Sequence, residues 1–450
     1  MAAFDSETEI NSQRIPVSAA TRSLQERAHH LIPGGGHTYA KGDDQFPLIA
    51  PPFLERGAGC RVWDLDGNQY IEYGMGLRAV TLGHAHGRVN EAAARELARG
   101  QNFCRPSSLE VRAAEALLEM VPGAEMAKFS RNGSDVTSAA VRLARAFTHR
   151  DLIAICRDQP FFSTDDWFIG TTPMRAGIPS AIRELTLTFP FNDLAALRAL
   201  FDAHPGRIAC VIMEAETSVA PQPGYLEGVG SLCRETGALW VLDEMITGFR
   251  LHNGGAQTRH GVSPDLSTFG KGIANGFAVA ALVGRREVME LGGLRHDRER
   301  VFLLSNTHGA ESSGLGASME AMRIYQNEPV IETLARQGAR LRTGVEQAIT
   351  AAGVGAAVQL LGHPANIVFA TRDSAGAPSQ AFRALFMQEL IRRGVIGPSF
   401  VVSAAHADDD IDFTIGVVAE ALRVYARALS AGVDGLLEGP PLKRVFRAFN

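Results

Sequence analysis

Residues 208–243 read IACVIMEAETSVAPQPGYLEGVGSLCRETGALWVLD. Two short runs, 208–213 and 239–242, are apolar at every position, and a helix-like stretch at 227–236 lies between them. A run with no polar positions has no face to give to water. Each is therefore a strand covered on both sides, and two such strands joined through a helix lie parallel. The same signature recurs outward, with strands expected at 127–130, 152–156 and 279–283 and a helix at 134–148. The reading is α/β: a mostly parallel sheet with helices on both faces, over 81–325.

The texture changes towards both ends. Beyond a loose arm at 1–20 and a helix at 20–31, GCRVWDLDGNQYIEY (59–73) is two strand-like runs around Asp66-Gly67, a hairpin signal. After 325 come a long helix at 330–351, strands near 356–370, and helices at 379–393 and 409–429. That pattern suits a smaller α+β domain. The expected organisation is an N-terminal segment of the small domain at 1–80, a large domain at 81–325 and the C-terminal small domain at 326–450, with the tail from Gly439 as a surface extension.

At 450 residues the chain is long enough for two or three domains, and 46% hydrophobic with 21% charged residues excludes disordered, fibrous and collagen-like classes. A net charge of −5 carries no electrostatic footprint for nucleic acid or an anionic membrane. No apolar run is long enough to span a bilayer, and the polar, acidic start lacks the features of a signal peptide. Five scattered cysteines without a CxxC pair fit a reduced compartment, so a cytoplasmic protein without structural zinc is expected. Lysine is scarce: Lys41, Lys128, Lys271 and Lys443 are the four among 44 basic residues. Arginine stays protonated and cannot react as an amine, so this scarcity narrows amine chemistry to four positions.

Ligands of parallel α/β sheets sit beyond the carboxyl ends of the strands. Four segments fall there, and each has a plain alternative. Arg131-Asn132-Gly133-Ser134-Asp135 opens a helix, and its N–H groups, glycine and hydroxyl form a phosphate cradle, unless Ser134 or Asp135 simply caps the helix. Asp243 ends an apolar strand, where a carboxylate needs a cationic partner such as a protonated ring nitrogen; a cap or ion pair would also serve. Lys271, in Thr268-Phe269-Gly270-Lys271-Gly272, is a desolvated nucleophile or an ordinary loop lysine. Ser305-Asn306-Thr307-His308-Gly309 is a second anion contact or a turn. Together they supply what pyridoxal phosphate requires: a phosphate site, a carboxylate for its ring nitrogen and an amine for its aldehyde.

In these segments the chain resembles a class III (subgroup II) aminotransferase of fold type I, and among these glutamate-1-semialdehyde aminomutase and its relatives, over about residues 23–430. VLDEMITGFR (241–250) and STFGKGIANG (267–276) carry the resemblance most specifically, with RNGSDVTSAAVRLARAFT (131–148) as the phosphate-binding segment and RGAGCRVWDLDGNQYIEY (56–73) as the N-terminal hairpin. The resemblance implies a PLP-dependent transferase fold with a seven-stranded-type sheet and a small domain built from both chain ends. It implies that Lys271 forms the internal aldimine and carries the proton between substrate carbon and cofactor. Asp243 keeps the pyridine nitrogen protonated, Met245 and Phe161 lie on the two ring faces, and Gly133 and Ser134 hold the phosphate. Thr307 reaches the cofactor phosphate of the neighbouring subunit, which makes a homodimer part of the mechanism. Arg78 and Tyr39 are substrate-side candidates, with His37 and Lys41 on the same entry loop; Arg250 reads as structural.

Two departures qualify the resemblance. Phe161-Phe162-Ser163 stands where the family has an aromatic followed by His-Gly. Pro398-Ser399-Phe400-Val401-Val402 lacks the carboxylate that the aminomutase carries after Pro-Ser. The expected activity is therefore amino transfer from a donor such as glutamate to a keto sugar, small oxo acid or aldehyde, in ping-pong order. The alternatives are a 2,1-aminomutase of the same fold and a non-catalytic binding protein. His84 and His86 read as turn residues, and no metal site is expected.

Overall fold

The computed structural model describes residues 16–449. The chain divides into two compact units: a smaller one from residues 16–75, 82–86 and 333–445, and a larger one from 76–81, 87–332 and 446–449. Against boundaries expected at 80 and 325, the crossings fall a few residues earlier and later, and the last residues join the larger unit.

The smaller unit begins with the helix Ala19–Leu31, whose cap Ser18 accepts the Thr21 N–H, and continues into an antiparallel meander of β1 (Leu54–Ala58), β2 (Arg61–Asp64) and β3 (Gln69–Glu72). The expected hairpin turn is present. Gly67 adopts φ +88°, and the Asp64 carboxylate accepts the N–H groups of Asp66 and Asn68.

In the larger unit β4 (Met126–Ser130), β5 (Leu152–Cys156), β6 (Thr186–Phe189), β7 (Ile208–Glu214), β8 (Leu239–Asp243), β9 (Leu266–Phe269) and β10 (Ala280–Gly284) form one sheet in the order β4-β10-β9-β8-β7-β5-β6. Only the two pairings made by β10 are antiparallel. Alternation along each strand feeds two apolar layers. Ile153, Ile155, Cys210, Ile212 and Val241 pack with Val136, Ala140 and Leu143 of the helix Gly133–Thr148. Leu152, Ala154, Val211, Met213, Trp240 and Leu242 pack with Leu226, Val229 and Cys233 of the helix Tyr225–Thr236.

In the larger unit two strands escaped the sequence reading, for different reasons. β6 (TLTF) is the far edge and keeps one exposed threonine. β9 (LSTF) is fully buried yet half hydroxylic, because Ser267 donates to Gln257 Oε1 at 2.7 Å and Thr268 to Asp243 Oδ1 at 3.1 Å. The tail is not a mere surface extension either: Phe446 packs on the first apolar layer, 6.3 Å from the Phe168 ring.

The chain completes the smaller unit with the helix Val330–Ala351, the antiparallel pair β11 (Val358–Leu361) and β12 (Val368–Thr371), the helix Gln380–Arg392, β13 (Val395–Ile396) and the helix Asp408–Ala431. β13 pairs parallel with β3, so both chain ends contribute to one sheet. Tyr73, Phe369, Phe386, Phe400 and Tyr425 form its aromatic core. Among the described residues no helix is long and apolar enough to cross a membrane.

Candidate active site

Because β10 runs against its neighbours, β4, β9, β8 and β7 all end on one edge of the sheet. Each hands over there to a segment carrying chemistry. Glu214 and Asp243, the last residues of β7 and β8, are register partners, and Thr268 of β9 is level with Asp243.

Asp243 is 2% exposed. Its Oδ1 accepts the Met245 N–H at 2.9 Å and the Thr268 hydroxyl at 3.1 Å. Both bonds fall on the same oxygen, which leaves Oδ2 for a cationic N–H. The adjacent Glu244 has a different task. It accepts the N–H groups of Ala256 and Gln257 at 2.8 Å each, and the Thr247 hydroxyl, and so caps the helix Gly255–His260. A helix cap, one of the readings offered for a strand-end carboxylate, is thus the task of the neighbouring Glu244.

Lys271 follows the extended Gly270 and adopts φ +46°. For a residue with a Cβ the left-handed region costs roughly 1–2 kcal/mol, and such strain persists where surrounding structure enforces it. Burial lowers the pKa of its amine, against the opposing pull of Asp243 and Glu214. A Cβ on Gly270 would lie 2.5 Å from Met245 Sδ, and one on Gly133 3.0 Å from the same sulfur. The glycines of the lysine turn and the phosphate segment therefore let Met245 sit between them.

The helix Gly133–Thr148 is capped by Asn132, whose side chain accepts the Asp135 N–H at 3.0 Å, and not by Ser134 or Asp135. The N–H groups of Gly133 and Ser134 occupy the first turn, where the helix offers no carbonyl. Ser134 Oγ accepts the Thr164 N–H at 2.9 Å, which orients the hydroxyl proton elsewhere. The Phe161 segment is pinned beside it: Thr137 donates to the Phe162 carbonyl at 2.8 Å, and Ser163 and Ser138 share a bond of 3.1 Å. Phe161 is 44% exposed and meets Phe168 edge-on, whereas Phe162 is buried in the core. The segment that departs from the family's His-Gly is therefore held by packing and hydroxyls.

Met75, Gly76, Leu77 and Arg78 are four consecutive left-handed residues, ending with Arg78 at φ +75°. The guanidinium is partly buried, lowered by that burial and raised by Glu214, and it in turn acts on Lys271. The structure thus brings Arg78, Lys271, Asp243, Met245, Gly133 and Ser134 together within the larger unit. Thr307 is exposed on a turn closed by Gly309 N–H to the Asn306 carbonyl at 3.1 Å. Tyr39 belongs to the smaller unit, where it is exposed beside Gly34, and His37 and Lys41 are exposed near it. Among the described residues no cluster of three potential metal ligands occurs; His84 is held by Glu72 at 3.1 Å.

The sequence reading missed Glu214. It is 3% exposed, and its Oε2 is buried without a partner. Burial and the adjacent Asp243 push its carboxyl up to about 8, against the pull of Lys271 and Arg78. The signal was available, since Glu214 ends IACVIME as Asp243 ends LWVLD. A carboxyl that titrates higher folded than unfolded binds more protons in the native state, so stability falls as pH rises from the unfolded value through about 8. Glu214→Gln is expected to flatten the decline in apoprotein melting temperature between roughly pH 5 and 8. An unchanged slope in calorimetry would show that Glu214 is ionised across that range.

These groups fit pyridoxal phosphate. The helix start and Ser134 suit a phosphate dianion, Asp243 Oδ2 suits a protonated ring nitrogen, and a desolvated amine suits an aldehyde.

Comparison with known proteins agrees. The family profile Aminotransferase class-III matches residues 38–399. A glutamate-1-semialdehyde 2,1-aminomutase from Sorangium cellulosum is 35% identical over 428 residues, covering 90% of this chain and 96% of that protein. A 3-aminobutyryl-CoA aminotransferase from Cloacimonas acidaminovorans is 32% identical over 425 residues, covering 91% and 98%. The PLP internal aldimine form of the FumI protein of Sphingopyxis sp. MTA144 superposes with a TM-score of 0.84 at 30% identity, covering 92% of this chain and 98% of that one. With its seven-stranded sheet of PLP-dependent transferase fold type I and pyridoxal phosphate as cofactor, the chain belongs to the class-III aminotransferase family.

Proposed function

We propose that this enzyme transfers an amino group from an amino-acid donor, glutamate being the first to test, to a keto sugar, small oxo acid or aldehyde. It works in ping-pong order, as a cytoplasmic homodimer. Bound pyridoxal phosphate supplies an electron sink for the substrate carbon. The residues of the chain supply the rest. Gly133 and Ser134 hold the phosphate, with Thr307 reaching it from the neighbouring subunit. Asp243 Oδ2 keeps the ring nitrogen protonated, and Met245 and Phe161 flank the ring. Lys271 would hold the cofactor through its aldehyde and would move the proton at the substrate carbon. Arg78 receives an anionic group of the substrate, and Tyr39 lines its approach.

The observation that carries this reading is the joint presence, at one sheet edge, of a desolvated lysine, a buried carboxylate with a spare oxygen and a guanidinium within electrostatic reach of both Lys271 and Glu214. The similarity to proteins named aminomutase favours a second reading, a 2,1-aminomutase. Against it, Val402 stands where the aminomutase pattern has a carboxylate, and its side chain is buried at 0% exposure.

The test is the visible spectrum of the holoenzyme with a panel of amino donors. A transaminase loses its yellow band with a donor and regains it with a 2-oxo acid; a mutase turns over with no added oxo acid. Absence of any band would overturn both readings. Arg78→Ala is expected to raise KM for an anionic donor about 10–100-fold, as loss of a charge-assisted bidentate contact implies, and to leave an uncharged amine unaffected.

A further inference from the structure

Two strained backbone positions flank this site, Lys271 at φ +46° and Arg78 at φ +75°. Neither is a glycine, and a chain of buried side chains connects them. Arg250, 1% exposed, donates through Nη2 to the Arg78 carbonyl at 3.3 Å and to the Thr81 hydroxyl at 3.2 Å. Thr81, fully buried, is hydrogen-bonded in turn to Tyr325. The Tyr325 hydroxyl donates to the carbonyl of Gly272, the residue after the lysine, at 2.9 Å. With Arg250 a donor only, the bonds run in one direction: Arg250 to Thr81, Thr81 to Tyr325, Tyr325 to Gly272. A chain of this kind polarises cooperatively in a dry interior.

Packing closes the same path. A Cβ on Gly272 would fall 2.8 Å from Thr81 Oγ1, 3.4 Å from Phe249 Cβ and 3.5 Å from Tyr325 Oη, so the lysine turn sits directly on these side chains. The Phe249 and Tyr325 rings pack at 5.2 Å.

We propose that Arg250, Thr81 and Tyr325 form a buried clamp that holds the Lys271 turn and the Arg78 turn in fixed register, which makes Arg250 and Tyr325 positioning residues for the amine and for the anion-receiving guanidinium. The half of the proposal that concerns Arg78 rests on the reading of that residue given above; the half that concerns Lys271 does not. A guanidinium is costly to bury, and a lysine would reach one of the two oxygens that Arg250 Nη2 bridges. Arg250 also adds a positive charge that opposes protonation of Lys271, alongside Arg78 and against Asp243 and Glu214.

The experiment compares Tyr325→Phe, Arg250→Lys and Arg78→Ala as holoenzymes, each with its melting temperature. Readouts are the pH midpoint of the visible band and separate kcat and KM values for an anionic donor and an uncharged amine. Tyr325→Phe is expected to shift the midpoint by about half a pH unit or more and to lower kcat about 10-fold for both substrates, with KM unchanged, at temperatures well below its melt. Arg250→Lys is expected to raise KM about 10-fold for the anionic donor only. A midpoint that stays put in Tyr325→Phe, or losses in both variants that simply track a lower melting temperature, would overturn the clamp. If Arg78→Ala fails to separate anionic from uncharged substrates, the anion reading falls on its own, and the band midpoint in Tyr325→Phe still decides the lysine half.

Discussion

Lys271→Ala is expected to lose turnover by roughly 10⁴-fold or more, since proton transfer by a placed side chain alone contributes about 10²–10⁴-fold and the covalent anchor goes with it. The same variant is expected to melt no lower than the wild-type apoprotein. The amine it removes is desolvated, and relief of that cost offsets the loss of its pull on Asp243 and Glu214. Steady-state kinetics beside apoprotein calorimetry checks both parts. Turnover within about 100-fold of wild type would remove Lys271 from the chemistry, because no positioning defect alone explains an amine that can be dispensed with.

Asp243→Asn carries the second-largest expected effect, a fall in kcat of roughly 10²–10³-fold, the scale of losing one preorganised electrostatic partner. The amide fits the same space, and its oxygen can accept the Met245 N–H and the Thr268 hydroxyl. The atom left facing the ring nitrogen is then an NH₂ donor, which cannot stabilise a protonated ring. Cofactor binding should survive through the helix start and Ser134. Asp243 acts electrostatically on Lys271, so its neutralisation should also move the pH midpoint of the holoenzyme band. A band midpoint and kcat both near wild type would show that some other group protonates the ring.

What could be read in the chain followed from how strictly each residue's surroundings constrained its type. Buried runs such as LIAIC (152–156) and LWVL (239–242) hold no polar residue, so they announce themselves. β9 does not, because Ser267 and Thr268 become compatible with burial only through Gln257 and Asp243, partners that local pattern cannot reveal. Lys271 stood out through the scarcity of lysine, and Asp243 through its place at the end of an apolar run. Glu214 had that same place, yet its meaning depends on lying beside Asp243 in register, which is a fact of the sheet. Arg250 looked merely structural because its partners, Arg78, Thr81 and Tyr325, are spread over most of the larger unit's sequence.

The order of strands has a consequence for how the enzyme comes to exist. β4, which leads into the phosphate-binding turn, is an end strand hydrogen-bonded to β10 alone, and β10 is made about 150 residues later. At a synthesis rate of roughly 5–20 residues per second, β4 waits about 8–30 s for its only neighbour. For most of that interval the nascent chain has neither its lysine nor a finished seat for the phosphate. Cofactor capture is therefore a late event in biogenesis, and a ribosome-bound chain halted just before residue 280 should bind no pyridoxal phosphate, while one released beyond the larger unit should.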